Sequence, residues 1–187
     1  MREIRIHGRG GQGAVTAGII LAQALFNSGY QVQTFPIFGV ERRGAPVAAF
    51  VRVGNSPILQ RYNVYKPNDV IVLDPALLDV VDIYDGLQEN GIILINGDPA
   101  VEANQTNIIV DATKIAWKYR LGSKQAPVVN TAMIGAYLGY WGIKLEFGLD
   151  AVKQHAPVKT KENAEAFEEA YNFIRSMGGI LLPRRIV

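Results

Sequence analysis

The residues best placed to do chemistry lie in one short run, Gly8-Arg9-Gly10-Gly11-Gln12-Gly13. Gly8, Gly10 and Gly13 fit G-x-G-x-x-G, between the strand-like Glu3–His7 and a long apolar helical pattern. Glycine lets a backbone take positive φ and lets a ligand or another chain come close. A helix starting directly after such a loop offers free N–H groups and the positive end of its dipole, which suits an anion. Gly8, Gly10, Gly11, Gln12 and Gly13 are therefore the expected phosphate-facing cradle. The second candidate is Glu41-Arg42-Arg43-Gly44. Arg42 and Arg43 could grip a phosphate bidentately, pair with acids of another subunit, or stay solvated. An ordinary NAD site would want an Asp or Glu at the end of the second strand, to hold the ribose hydroxyls. That place reads Gln31-Val32-Gln33-Thr34, and the first acid after it is Glu41. NAD is disfavoured, while a 2′-phosphorylated dinucleotide held by Arg42 and Arg43 stays open as the mark of a free-standing nucleotide-binding module.

The remaining polar residues do not assemble a reaction centre. His7 closes the first strand and His155 ends a short helix, and neither belongs to a Ser/His/Asp set. Asp74, Asp98 and Asp111 follow apolar strands and read first as helix caps or turn formers, with a catalytic carboxylate pair among them as the lesser alternative. Asn130-Thr131 opens a helix, either as a cap or as a polar contact at a subunit or cofactor site. No His/Asp/Glu grouping has metal-ligand spacing, and the chain has no cysteine, so it can hold no thiolate zinc or iron–sulfur cluster. The expectation is no catalytic residue and no metal ligand in this chain.

These candidates need a scaffold, and the pattern supplies one. Short apolar strands alternate with helical stretches: Ile4–His7, Tyr30–Phe35, Val47–Val53, Asp69–Leu73, Ile92–Ile95 and Asn107–Val110. Helices are expected at about Gln12–Asn27, Ala76–Tyr84, Ala112–Leu121, Asn130–Trp141, Leu149–His155 and Lys161–Met177. This predicts an α/β fold, a three-layer α/β/α sandwich on a mainly parallel sheet. Val47–Leu59 reads as a hairpin, which would make the sheet mixed. One domain over 1–187 is expected, with a C-terminal tail at about 178–187 holding Pro183-Arg184-Arg185 and lying on a surface or a partner.

Composition narrows the class. The 187 residues are 49% hydrophobic and 19% charged, with a net charge of +2. That charge is too small to argue for nucleic acid, and no basic cluster interleaves with aromatics. No run approaches the roughly 20 apolar residues of a membrane helix, and Arg2, Glu3 and Arg5 break up any signal-peptide core. A cytoplasmic chain is expected. A glycine cradle without chemical machinery suggests a subunit, with a purely structural scaffold as the bland alternative.

Four segments then carry a resemblance: Gly8–Gly13, Phe35-Pro36-Ile37-Phe38-Gly39-Val40-Glu41-Arg42-Arg43-Gly44-Ala45-Pro46, Val70–Pro75 and Asn130–Ala136. Together they are similar to the gamma subunit of 2-oxoacid:ferredoxin oxidoreductases, the pyruvate type above all, over roughly Met1 to Ala170. The resemblance implies a multisubunit enzyme that oxidatively decarboxylates a 2-oxoacid to an acyl-CoA. It implies thiamine diphosphate, Mg2+ and [4Fe-4S] clusters on other subunits, with coenzyme A as acyl acceptor and none of these held firmly here. The implied partners are thiamine-binding alpha and beta type subunits, a ferredoxin-like subunit, and external ferredoxin or another electron acceptor. This chain would support assembly and the active-site or coenzyme A approach. The oxoacid is not fixed by the motifs, and the tail after Met177 falls outside them.

Overall fold

The computed structural model describes residues 1–37, 44–98, 107–177 and 186. Among these residues six strands form one sheet: β1 (Arg2–Arg9), β2 (Gln31–Ile37), β3 (Pro46–Gly54), β4 (Asp69–Val72), β5 (Ile92–Asn96) and β6 (Asn107–Val110), in the order β2-β3-β1-β4-β5-β6. β1, β4, β5 and β6 run parallel, while β3 is antiparallel to both β1 and β2. The sheet is mixed, as the sequence suggested, but its antiparallel ribbon is β2–β3. The expected second arm at Ile58–Leu59 is not a strand. Pro57 removes a ladder donor just before it, which explains the difference.

Among the described residues are five α-helices: α1 (Ala14–Asn27), α2 (Ala112–Lys118), α3 (Asn130–Tyr140), α4 (Leu145–His155) and α5 (Thr160–Ser176). All five contribute to one apolar core, with Ile4 and Ile6 of β1, Val51 and Val53 of β3, and Ile71 and Leu94 of the parallel strands. Side chains alternate across a strand, so Val70, Val72, Ile93 and Ile95 point the other way and meet Leu77 and Ile83 in a second, smaller core. The helix expected over Ala76–Tyr84 is only a 3-10 turn, Pro75–Asp79, capped by Asp74 accepting from the Ala76 N–H at 3.0 Å. The second face is therefore covered by this turn and by irregular segments, and the helices are gathered on the first.

Close packing of α3 explains its small residues. A Cβ on Gly135 would lie 2.2 Å from the Phe167 carbonyl oxygen of α5, and one on Gly139 would lie 2.8 Å from that of Tyr171. At the far end of β1, Arg2 binds both oxygens of the buried Asp69 at 2.6 and 2.7 Å, and the Tyr137 hydroxyl donates to the same carboxylate at 2.6 Å. This pins α3 under the sheet. Of the expected tail only Ile186 is described, and it is buried in the helix-side core.

Candidate functional site

β1 is where the sheet changes direction. The chain leaves it through α1 toward β2, and later crosses to β4 on its other side. The carboxyl ends of parallel strands at such a switch point form a natural crevice. The glycine run sits there, between β1 and α1.

Each glycine does a different job. Gly8 is tight: a Cβ would meet Leu73 Cδ1 at 3.2 Å and Ala14 Cβ at 3.3 Å. Gly10 pairs through its backbone, its N–H donating to Ala45 O at 2.9 Å and its carbonyl accepting from the Gly44 N–H at 3.2 Å. Gly13 is the residue before α1, with φ +78°, and a Cβ there would lie 2.5 Å from Asn130 Nδ2. Gly11, with φ +97°, has none of the described residues within 4 Å of the place a Cβ would take. Its bare backbone faces a cavity of about 260 Å3 lined by Arg9, Gly13, Val15, Ile37 and Ala48. No side chain caps α1, so its first-turn N–H groups have no side-chain acceptor among the described residues. The cavity accommodates a phosphate-sized group. It is below the volume usual for a whole drug-sized ligand.

Gln12 points into the protein. Its Oε1 accepts from the Arg9 N–H at 2.7 Å, and its Nε2 donates to Asp74 Oδ2 at 3.1 Å. Its amide thereby holds the loop's shape. Arg9 Nε donates to the same Asp74 oxygen at 2.9 Å, and Arg9 Nη1 reaches Gly44 O at 3.1 Å. Asn130 donates from Nδ2 to Gly13 O at 3.2 Å. The contact is internal to the chain, not to a subunit or cofactor, and Val129 rather than Asn130 takes the capping position of α3. Beyond Gln12 a smaller cavity of about 180 Å3 is lined by Asp74, Asn96 and Thr113. Asn96 Nδ2 donates to Leu73 O at 2.9 Å, and its Oδ1 accepts from the Thr113 N–H at 3.1 Å. A wider cavity of about 700 Å3 lies at the opposite end of the strands, beside Arg2 and Gln88, away from the switch point.

Gly8, Gly10, Gly11, Gln12 and Gly13 are thus brought together, and Arg42 and Arg43 lie outside the described residues. Arg9 and Asp74 belong to the site although the sequence alone assigns them no binding role, and Asn130 joins them through Gly13. Asp74 and Asn130 each sit at a strand or helix end, which is their one visible signal. His7 is buried under the site, on the face away from the helices, and no hydrogen-bond partner reaches its Nε2. Burial, and secondarily the Arg5 charge, lowers its pKa to about 4. The ring is neutral at pH 7. Among the described residues no group of three or more His, Asp or Glu could hold a metal ion, and no helix is long and apolar enough to cross a membrane.

Comparison with known proteins places the fold and the sequence in a family. Residues 3–173 match the family described as pyruvate ferredoxin/flavodoxin oxidoreductase. The chain is 47% identical over 181 residues to pyruvate synthase subunit PorC of Methanothermobacter marburgensis, covering 95% of this chain and all of that one. It is 47% identical over 182 residues to the pyruvate/ketoisovalerate oxidoreductases common subunit gamma of Thermococcus kodakarensis, covering 92% and 96%. Among solved structures, pyruvate oxidoreductase subunit PORC of Thermotoga maritima superimposes with a TM-score of 0.73 at 34% identity, covering 91% and 95%. The 2-oxoglutarate:ferredoxin oxidoreductase of Magnetococcus marinus, solved with 2-oxoglutarate, coenzyme A and succinyl-CoA, shares the fold at 17% identity and a TM-score of 0.78. There the whole of this chain matches 33% of a longer one. With its fold, residues 3–173 and nearly its full length matched, the chain belongs to the pyruvate ferredoxin/flavodoxin oxidoreductase family.

Proposed function

We propose that this chain is the gamma-type subunit, read as a single domain, of a multisubunit enzyme that oxidatively decarboxylates a 2-oxoacid to an acyl-CoA, passing electrons to ferredoxin or another acceptor. Pyruvate is the oxoacid named for the 47% identical archaeal relatives, alone or with ketoisovalerate. Thiamine diphosphate, Mg2+ and iron–sulfur clusters then belong to alpha, beta and ferredoxin-like partners. The absence of cysteine from this chain fits that division. The proposed setting is the cytoplasm.

The chain's own contribution is assembly and a phosphate-facing wall on the coenzyme A approach. The observation that carries this is Gly11, held at φ +97° with open space before it, beside an uncapped α1 N-terminus. A phosphate there meets backbone N–H groups and the positive end of the helix. Gly8 and Gln12 shape the wall, Gly10, Gly11 and Gly13 form it, and Arg42 and Arg43 are the proposed side-chain anion partners. Coenzyme A supplies the thiol that accepts the acyl group; this chain's residues bind and orient, and none transfers a proton or forms a covalent bond.

The test is steady-state kinetics of the reconstituted complex. Arg42→Ala with Arg43→Ala is expected to raise the coenzyme A KM at least tenfold with kcat within twofold, the pattern of lost ground-state binding. An unchanged KM with weakened assembly would assign the arginines to an interface and leave a scaffold.

A further inference from the structure

The sheet face opposite the helices carries a feature the glycine site does not use. Leu59, Tyr62, Tyr65, Val80 and Tyr84 stand on the two irregular segments that cover it, each between 53% and 78% exposed. The segments lie side by side. A Cβ on Gly86 would fall 2.0 Å from Tyr65 O, and the Gln88 N–H donates to Pro67 O at 3.1 Å.

Two buried arginines hold these segments in place. Arg52, fully buried on β3, donates from Nη2 to Tyr62 O at 2.6 Å, and is itself paired with Glu3 at 2.7 Å and Gln33 at 3.0 Å. Arg5, on β1, donates from Nη2 to Ile83 O at 3.0 Å and Asp85 O at 2.9 Å. The carbonyls they grip belong to, or flank, Tyr62 and Tyr84. Burying a guanidinium is costly unless its donors are used. All three nitrogens of Arg52 are used, as is Nη2 of Arg5, and the loops they fix present aromatic rings to solvent, while Arg5 Nε has no partner among the described residues. Rigid tyrosines make good interface anchors, because little conformational freedom remains to be lost on docking.

Charge narrows the occupant. Residues 79–89 carry Asp79, Asp82, Asp85 and Glu89 and no Lys or Arg, although the whole chain is +2. All four carboxylate residues are exposed. Against them the neighbouring segment sets only Arg61 and Lys66. A second copy would press an excess of carboxylates onto itself, and a nucleic acid backbone would be repelled.

We propose that this face is the docking surface for another protein subunit of the complex, one with an apolar centre that receives Tyr65 and Tyr84 and with Lys or Arg side chains opposite 79–89. The inference rests on the subunit reading above and adds the surface and the partner's chemistry to it.

The experiment measures the affinity of the full chain for the remaining subunits, purified together without it. Tyr65→Ser with Tyr84→Ser is expected to weaken binding at least 30-fold while the melting temperature of the free chain stays within 2 °C. Asp79→Lys with Glu89→Lys is expected to weaken it at least tenfold, and added salt to weaken the unmodified chain. Unchanged affinity for both double variants would overturn the surface assignment and leave the subunit reading intact. Self-association of the free chain that the tyrosine variant abolishes would overturn it in favour of a second copy. If the unmodified chain binds none of the other subunits, the subunit reading itself fails.

Discussion

Gly13 joins two demands that a side chain cannot meet together. Its φ of +78° is costly for an L-residue, and its Cβ position is already taken by Asn130 Nδ2 at 2.5 Å. Gly13→Ala should lose about 2 kcal/mol in urea unfolding, from backbone strain together with the clash. Adding Asn130→Ala should return part of that loss, because the two substitutions share one contact. Strict additivity would mean that the amide moves aside freely. His7 sets a pH dependence at the same scale. Its pKa is lowered from the ordinary value of 6.5 to about 4, so the unfolded chain takes up the proton first as pH falls. Its contribution is full above pH 6.5 and is lost as pH drops from there toward 4. By linkage this amounts to about 2 kcal/mol between pH 7 and 5. Thermal melts of His7→Gln should show a flatter slope across that window; an identical slope would mean that the buried ring is not the titrating group. The glycine run was legible because strand, glycines and apolar helix follow one another directly. The inward turn of Gln12 and the grip of Asn130 on Gly13 were not, since the second joins residues 117 positions apart.

At the scale of elements, the α3–α5 crossing depends on glycines more than on any capping group. Gly135→Ala would drive a methyl to 2.2 Å from Phe167 O, whereas Gly139→Ala would place one at 2.8 Å from Tyr171 O. The first should cost about 3 kcal/mol, and the second less, since alanine's helix propensity recovers up to about 1 kcal/mol at each site. Calorimetry of both variants checks the order, and equal losses would mean that the helices slide apart together. The strands and three of the helices were readable from periodicity to within two residues. α4 was read four residues short because Gly148 lies in its first turn, and glycine is a poor helix former. Its reason is spatial: a Cβ there would meet the Phe167 ring at 2.1 Å. The expected helix at Ala76–Tyr84 failed in the other direction. Val80-Val81 continues the apolar pattern, but Asp82 takes the Tyr84 N–H at 3.0 Å and turns the chain instead.

For the whole molecule, the helices cover one face of the sheet and short irregular segments the other. The glycine cradle opens at the carboxyl ends of the parallel strands, at β1, where the sheet changes direction. That layout fits the two surfaces proposed for this subunit, a small anion-facing wall and a separate docking face. The mixed α/β character and the subunit reading were both accessible in the sequence. The one-sided helix arrangement was not, because periodicity reports which side of an element is apolar but not which side of the sheet it joins. The proposed function requires that this chain work only in company. The most direct measurement is a native pull-down of the full chain, with its partners identified by mass spectrometry and thiamine and iron assayed in the same eluate. Thiamine-binding and ferredoxin-like chains recovered together with both cofactors are the predicted result. A lone folded chain with neither cofactor, under gentle conditions, would contradict it.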